Sequence, residues 1–263
     1  MAIHTILKNK GVTIFIILAA FFIANTIVAE FVGSKIFSLE LLLGFNPIQL
    51  KLFGVEGLGL NLTAGAILWP IVFIMTDIIN EYYGKKAVRF LSFLAIGIVF
   101  YAFLMVYGAI GLPANEWWQF QSGLSADPSV SISDMNLSFN KVMGQGLWII
   151  IGSMVAFLVG QILDVAIFHK IKEITGEKWI WMRATGSTLV SQLVDSYIVL
   201  LIAFWIGADW DLTRVLAIGT VNYFYKSAMA ILLTPFIYLG HHIIDNYLGH
   251  DVAATMRKEA QDL

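Results

Sequence analysis

Six runs of apolar residues, each about twenty residues long, recur along the 263-residue chain and decide the solvent in which it folds. At a rise of about 1.5 Å per residue, roughly 20 helical residues cross the hydrocarbon layer of a bilayer. The runs fall at about 11–32, 61–82, 87–112, 142–168, 183–206 and 215–239. They are too long and too evenly apolar for the alternating strands of a membrane barrel. Each is therefore read as a helix that satisfies its own backbone polar groups. Composition agrees: 13% of the residues are charged, where a soluble domain carries about a quarter, and the mean hydropathy is +0.80. The expected fold is all-α, a polytopic membrane protein of six transmembrane helices forming one membrane domain over residues 1–263, with no soluble catalytic domain. The first run, behind Lys8 and Lys10, is longer than a usual signal core, and no A-x-A site follows it. It is expected to remain as an uncleaved first helix.

The distribution of Lys and Arg sets the orientation. One side holds Lys8, Lys10, Lys85, Lys86, Arg89, Lys170, Lys172, Lys178, Arg183, Arg257 and Lys258; the other holds only Lys35, Lys51, Lys141 and Arg214. The positive-inside bias places both termini in the cytoplasm. Two long connections, about 33–60 and 113–140, then fall outside. The first, rich in glycine and leucine, is expected to lie in the interface or dip into the protein. The second is polar, with Trp117 and Trp118 suited to the headgroup zone. The tail "RKEAQDL" is expected to be solvated.

Several function classes drop out. A net charge of −2 with no basic cluster gives no reason to expect a nucleic-acid partner. Without cysteine there is no disulfide framework, thiolate metal site or cysteine nucleophile. His169, His241, His242 and His250 lie at span ends or in the tail, where solvation is expected, so neither a metal nor a cofactor is expected. No Gly-rich phosphate loop is present, so the chain is not expected to hydrolyse ATP itself.

What remains are the polar residues inside the runs. A charge at mid-bilayer costs at least ~2.5–3.5 kcal/mol, so each one calls for a partner or a function. Three groups stand out: Asp77, Asn80 and Glu81 in "MTDIINEYYGKKAVR"; Gln161 and Asp164; and Gln192 and Asp195 with Lys226 in the following run. Asp77 and Glu81 are four apart and share a helical face. Glu81 has Lys85 as a local ion-pair candidate, and Asp195 and Lys226 match in depth on antiparallel neighbours. That pair is either structural or flanks a polar substrate. "VGQILDVAIF" and "VSQLVDSYIV" echo one another, each with Gln and Asp three apart. Two helices offering an amide and a carboxylate suit a heterocycle with ring N–H and exocyclic amine groups. Trp69, Phe73, Trp148, Tyr197, Tyr223 and Tyr225 are the aromatics at suitable depth for stacking, although packing is the commoner role.

The stretches "TDIINEYYGKKAVR", "GQILDVAIFHKIK" and "SQLVDSYIVLLIAF", with Trp181, Arg183 and Ser187 as W-x-R-x-x-x-S, resemble the queuosine precursor transporter family, also called the vitamin uptake transporter family. The resemblance runs from about Asn25 to Lys226. It implies a six-helix bundle like the substrate-binding subunits of energy-coupling-factor transporters, in a bacterial cytoplasmic membrane. It also implies import of a 7-deazaguanine base, either 7-cyano-7-deazaguanine or 7-aminomethyl-7-deazaguanine. The implied site residues are Asn25, Asp77, Asn80, Glu81, Gln161, Asp164, Gln192, Asp195 and Lys226. Energy would come from a separate energising module or from proton coupling, for which Asp77, Glu81 and Asp164 are the candidates. Two alternatives remain open: a transporter of another purine or vitamin, and an intramembrane enzyme using Asp77 and Glu81 as general acid and base.

Overall fold

The computed structural model describes residues 8–120, 132–144, 146–176 and 178–262. The first apolar run forms helix α1 (Lys10–Val32), started by the Asn9 side chain, which accepts from the Val12 N–H. The second and third runs are not separated by a loop. They form α3 (Trp69–Ile110), whose 42 residues depart from helical geometry only at Gly84 (φ 78°, ψ 174°). A straight helix of that length would extend about 63 Å, yet both of its ends lie beside the same end of α1. A Cβ on Gly65, just before α3, would collide with the Ala29 carbonyl, while Phe103 packs its ring 5.2 Å from that of Phe31. At the opposite end of α1, the Tyr83 hydroxyl donates to the Gly11 carbonyl at 2.7 Å. Helix α3 is thus a hairpin folded at Gly84, its two arms closing on Phe22 through Val72, Met75, Leu91 and Ala95.

The expectation that residues 61–68 are the start of an α-helix is corrected. They form strand β4 (Asn61–Thr63) and a 3₁₀ turn (Ala64–Ile67), and helix begins only at Trp69-Pro70. A proline at the first turn is tolerated because its missing N–H would have had no intrahelical partner. The connection before it is ordered by strands rather than lying as an apolar loop. Strand β1 (Ile36–Ser38) pairs antiparallel with β4, and β2 (Leu50–Leu52) pairs with β3 (Val55–Leu58). Phe53 and Gly54 close the second pair with φ of 51° and 82°, the left-handed conformation of a two-residue hairpin turn. Between them, the short helix α2 (Leu39–Leu42) carries Glu40, which accepts from the Leu60 N–H at 2.6 Å and the Ser38 hydroxyl at 2.8 Å.

Beyond the hairpin come α4 (Glu116–Gln119), α5 (Met135–Met143), α6 (Leu147–Thr175) and α7 (Ile180–Leu200) with a π-helical extension (Leu201–Ile206). Much of the polar second connection, 121–131, lies outside the described residues. Helix α6 begins later and ends later than the expected 142–168. The last expected span, 215–239, is divided. Helix α8 (Leu212–Leu232) stops at Leu233, and α9 (Thr234–Leu248) starts with Pro235, which has no N–H to continue the ladder. Leu58 of β3 packs against Ala217 and Val221 of α8, so the strands cap that helix.

The tail is solvated only in part, with Lys258 and Glu259 exposed. It forms α10 (His250–Asp262), which buries Ala253 and Ala260. Arg257 donates to Asp245 of α9 at 2.6 Å, and Tyr82 of the α3 bend donates to the same carboxylate at 2.7 Å. The Gly84 bend is where the tail seats: a Cβ there would come 2.8 Å from the Ala260 carbonyl. Gly84→Ala is therefore expected to cost about 1–3 kcal/mol for the left-handed backbone and the clash together. Gly97, with open space around it, should tolerate alanine. Thermal melts of the two variants in detergent check this, and equal melting temperatures would show that the tail does not depend on the bend.

Candidate functional site

Helix α3 enters the protein interior from Trp69 and presents Asp77, Asn80 and Glu81 on its buried side within a turn and a half. Opposite stand α6 and α7, antiparallel neighbours: Asp164 meets Ser191, and Gly160 meets Asp195. The two echoing Gln–Asp motifs therefore lie side by side in opposite directions. Their partners differ, and with them their chemistry.

Nearest the Gly84 bend, Glu81 does not pair with Lys85. Arg183, at the start of α7, donates to it from Nε (3.1 Å) and Nη2 (2.7 Å), and Lys172, near the end of α6, lies 3.1 Å away. All three side chains are almost completely buried. Arg183 completes its donor set on the Gly176 and Lys178 carbonyls at 2.8 and 3.4 Å, so the same side chain fastens the turn between α6 and α7. A two-pronged guanidinium–carboxylate bond is the geometry in which a buried charge pair is best compensated. Beside it, Asn80 and His169 are joined at 2.9 Å. His169 is thus a partner inside the protein rather than a solvated end. His241, expected in water, is buried against the Tyr82 hydroxyl at 3.0 Å.

One turn deeper is a layer with few partners. Gln161 accepts from Thr76 at 3.2 Å, and Asp164 accepts from Ser191 at 3.1 Å and Thr188 at 3.4 Å. Yet Asp77 Oδ1, Asn80 Nδ2, Gln161 Nε2, Asp164 Oδ2 and Gln192 Nε2 are all buried with no hydrogen-bond partner. Buried polar atoms are nearly always satisfied, so these five orphans need an explanation. Two of these residues, Asp77 and Gln192, lie on the wall of a cavity with Trp69, Phe73, Thr188 and Lys226. The free space is only about 30 Å³, enough for one or two waters and far below the ~300–1,000 Å³ of a ligand pocket. This is a closed cleft.

Further along, Lys226 of α8 pairs with Asp195, as their matched depth had suggested, and both side chains remain partly exposed. Near it, the Ser153 hydroxyl of α6 donates to Glu30 of α1. Glu30 and Arg183 had not been singled out as site residues. Both sit at the ends of apolar runs, where a charge reads as a water-boundary residue. No local pattern singled out Arg183, because Glu81 had Lys85 at helical spacing and both of its actual cations, Arg183 and Lys172, come from segments distant in sequence. Asn25 is not drawn into this cluster: its amide turns back to the Phe21 carbonyl of its own helix at 2.8 Å. Of the other aromatics, Tyr197 bonds Thr220 at 2.9 Å, Tyr225 packs with Leu62 and Ala66, and the Trp148 side chain fills the space beside Gly207.

The family described as "Putative vitamin uptake transporter" matches residues 63–240, from β4 through the first turns of α9. The chain belongs to this family. Among curated proteins, the "Probable queuosine precursor transporter" of Bacillus subtilis is 28% identical over 193 residues, 73% of this chain and 77% of that protein. The "Queuosine precursor transporter" of Escherichia coli is 27% identical, over 68% of this chain and 72% of its own. A Haemophilus influenzae protein named "Probable queuosine precursor transporter" is 26% identical, over 65% and 64%. No solved structure matches. The family is one of transporters, not enzymes, and this vitamin uptake transporter family member is a multi-pass cell-membrane protein. The acid–base role considered for Asp77 and Glu81 gives way accordingly.

Removing one partner of the Glu81–Arg183 pair leaves an uncompensated buried charge, at a cost of about 3–5 kcal/mol. Arg183→Met should therefore lower the melting temperature by on the order of 10 °C. Combining it with Glu81→Gln should cost less than the two single losses added together. Additive losses in a double-mutant cycle would mean that the two side chains do not act as a pair.

Proposed function

We propose that this protein imports a queuosine precursor, a 7-deazaguanine base carrying a cyano or aminomethyl group, across a bacterial cytoplasmic membrane. The observation that carries the reading is chemical: Asp77, with an unpartnered carboxylate oxygen, and Gln192, with an unpartnered amide N–H, line one cleft beside Trp69 and Phe73. A deazaguanine offers N–H and amine donors to the first and a lactam oxygen to the second, and its flat ring stacks on the aromatics. The names of the Bacillus and Escherichia relatives support the same substrate class. A purely structural role for these groups has no such support, because each would remain buried and unsatisfied.

In this reading the two arms of α3 count as separate crossings, giving six spans with both termini in the cytoplasm and a bundle like the substrate-binding subunits of energy-coupling-factor transporters. Asn80, Gln161, Asp164, Asp195 and Lys226 form the polar surroundings of the ligand, Glu81 is the locked member of the site, and Asn25 has the weakest claim. The cleft opens to admit the base when α3 parts from α7 and α8. Energy enters either through a docked module or through an ion.

Binding to purified protein tests the substrate. Both 7-cyano-7-deazaguanine and its aminomethyl analogue should be measured, each against Asp77→Asn and Gln192→Ala. Each lost contact leaves a buried group unpaired at about 1–3 kcal/mol, so affinity should fall roughly five- to 150-fold while melting temperature is preserved. Undiminished affinity in both variants would remove the cleft as the site. No saturable binding by folded wild type would remove the substrate.

A further inference from the structure

The interior holds more carboxylates than cations, and their pairing separates them. Glu81 has both Arg183 and Lys172. Asp77, one turn away, has no ion pair among the described residues, but it lines the substrate cleft. Asp195 has Lys226, and Glu30 is held by Ser153. Asp164 differs from the paired carboxylates and, unlike Asp77, does not line the cleft. It is fully buried, its Oδ2 has no hydrogen-bond partner, and among the described residues no Lys, Arg or His forms an ion pair with it. A carboxylate in that position needs a neutralising charge.

What surrounds it is a face of hydroxyls on α7. Ser191 Oγ lies 3.1 Å and Thr188 Oγ1 3.4 Å from Asp164 Oδ1, and Ser187 is buried on the same helix one turn before Ser191. Both serine hydroxyls have a backbone acceptor within reach: Ser191 the Thr188 carbonyl at 3.1 Å, and Ser187 the Ala184 carbonyl at 3.0 Å. A hydroxyl has one proton to give. When it goes to the backbone carbonyl, the oxygen lone pairs are left for the Asp164 side, and a cation between hydroxyl and carboxylate satisfies both. Such oxygens are the ligands that small hard cations prefer.

We propose that Asp164, with Ser187, Thr188 and Ser191, forms a binding site for one small monovalent cation, either a proton on the carboxyl or a Na⁺ among the oxygens, exchanged during transport. Thr188 links it to the substrate cleft, since the same side chain lines the cleft and contacts Asp164. Filling or emptying the cation site therefore alters a wall of the cleft. Glu81 has no such role, because its oxygens are already taken by Arg183 and Lys172. The word transport rests on the function proposed above, but the cation site itself does not require a deazaguanine ligand.

The test uses the full-length protein in detergent with no base added. Binding of ²²Na⁺ is measured at constant ionic strength against choline, and the infrared band of a protonated carboxyl is followed as pH is varied. The variants are Asp164→Asn, Ser191→Ala and, as a control, the exposed Glu116→Gln. Saturable Na⁺ binding that is abolished in Asp164→Asn, weakened at least tenfold in Ser191→Ala and unchanged in Glu116→Gln supports the Na⁺ form. No Na⁺ binding, but a titrating carboxyl band missing from Asp164→Asn and shifted in Ser191→Ala, supports the proton form. If Asp164→Asn does not fold, Ser191→Ala decides on the same readouts. Neither Na⁺ binding nor a titrating band that depends on these residues overturns the site. Cation binding without base binding would sink the substrate reading alone, and base binding without cation binding would sink this proposal alone.

Discussion

The bond between Glu81 and Arg183 is the interaction on which the rest of this architecture hangs. In a protein surrounded by hydrocarbon, a buried carboxylate cannot be left to water, and a buried guanidinium must spend its donors within the fold. Arg183 does so on Glu81 of α3 and on two carbonyls of the turn between α6 and α7, while Lys172 adds a second cation from α6. One electrostatic knot thereby gathers three helix segments. The next residue along α3, Tyr82, turns to Asp245, Arg257 and His241 and fastens α9 and α10. Two adjacent side chains just before the Gly84 bend thus tie the hairpin to different parts of the bundle.

That knot has a consequence one turn deeper. With Glu81 satisfied, Asp77 lines the cleft with one carboxylate oxygen unpartnered, and Asp164 is left with hydroxyls rather than a cation. The interior is graded: a saturated layer at the bend, an unsatisfied layer beyond it, and the partly exposed Asp195–Lys226 pair farther still. Saturated groups hold structure. Unsatisfied ones are where a ligand or an ion gains most by arriving, since the protein has already met the cost of burying them.

Much of the fold was legible in the chain. The apolar runs mark α1, the arms of α3, and α6 to α8, because crossing a bilayer is a local requirement of length and polarity. The edges were less legible. Residues 61–68 have the composition of a span but form strand and 3₁₀ turn, where the backbone at Gly65 packs directly on α1. Leu233 ends α8 because Pro235 lies two residues ahead, a local signal hidden inside a continuous apolar run. The tail looked soluble by composition, yet two alanines suffice to seat it on the glycine bend.

The polar cluster shows the same division. Asp77, Asn80, Glu81, Gln161, Asp164 and Gln192 were identifiable because polar side chains within apolar runs are costly wherever the helices end up. Which of them would be neutralised was not. Glu81 had a local candidate in Lys85 at helical spacing, but its partner is Arg183, 102 residues away. His169, Lys172 and Arg183 were read as boundary residues until the helix ends closed around them. The sequence by itself determined the long apolar helices and the inventory of buried polar groups, both set by transfer free energies that act residue by residue. Only the tertiary structure decided which charge meets which, because Coulomb and hydrogen-bond energies depend on distances between helices that no local pattern encodes.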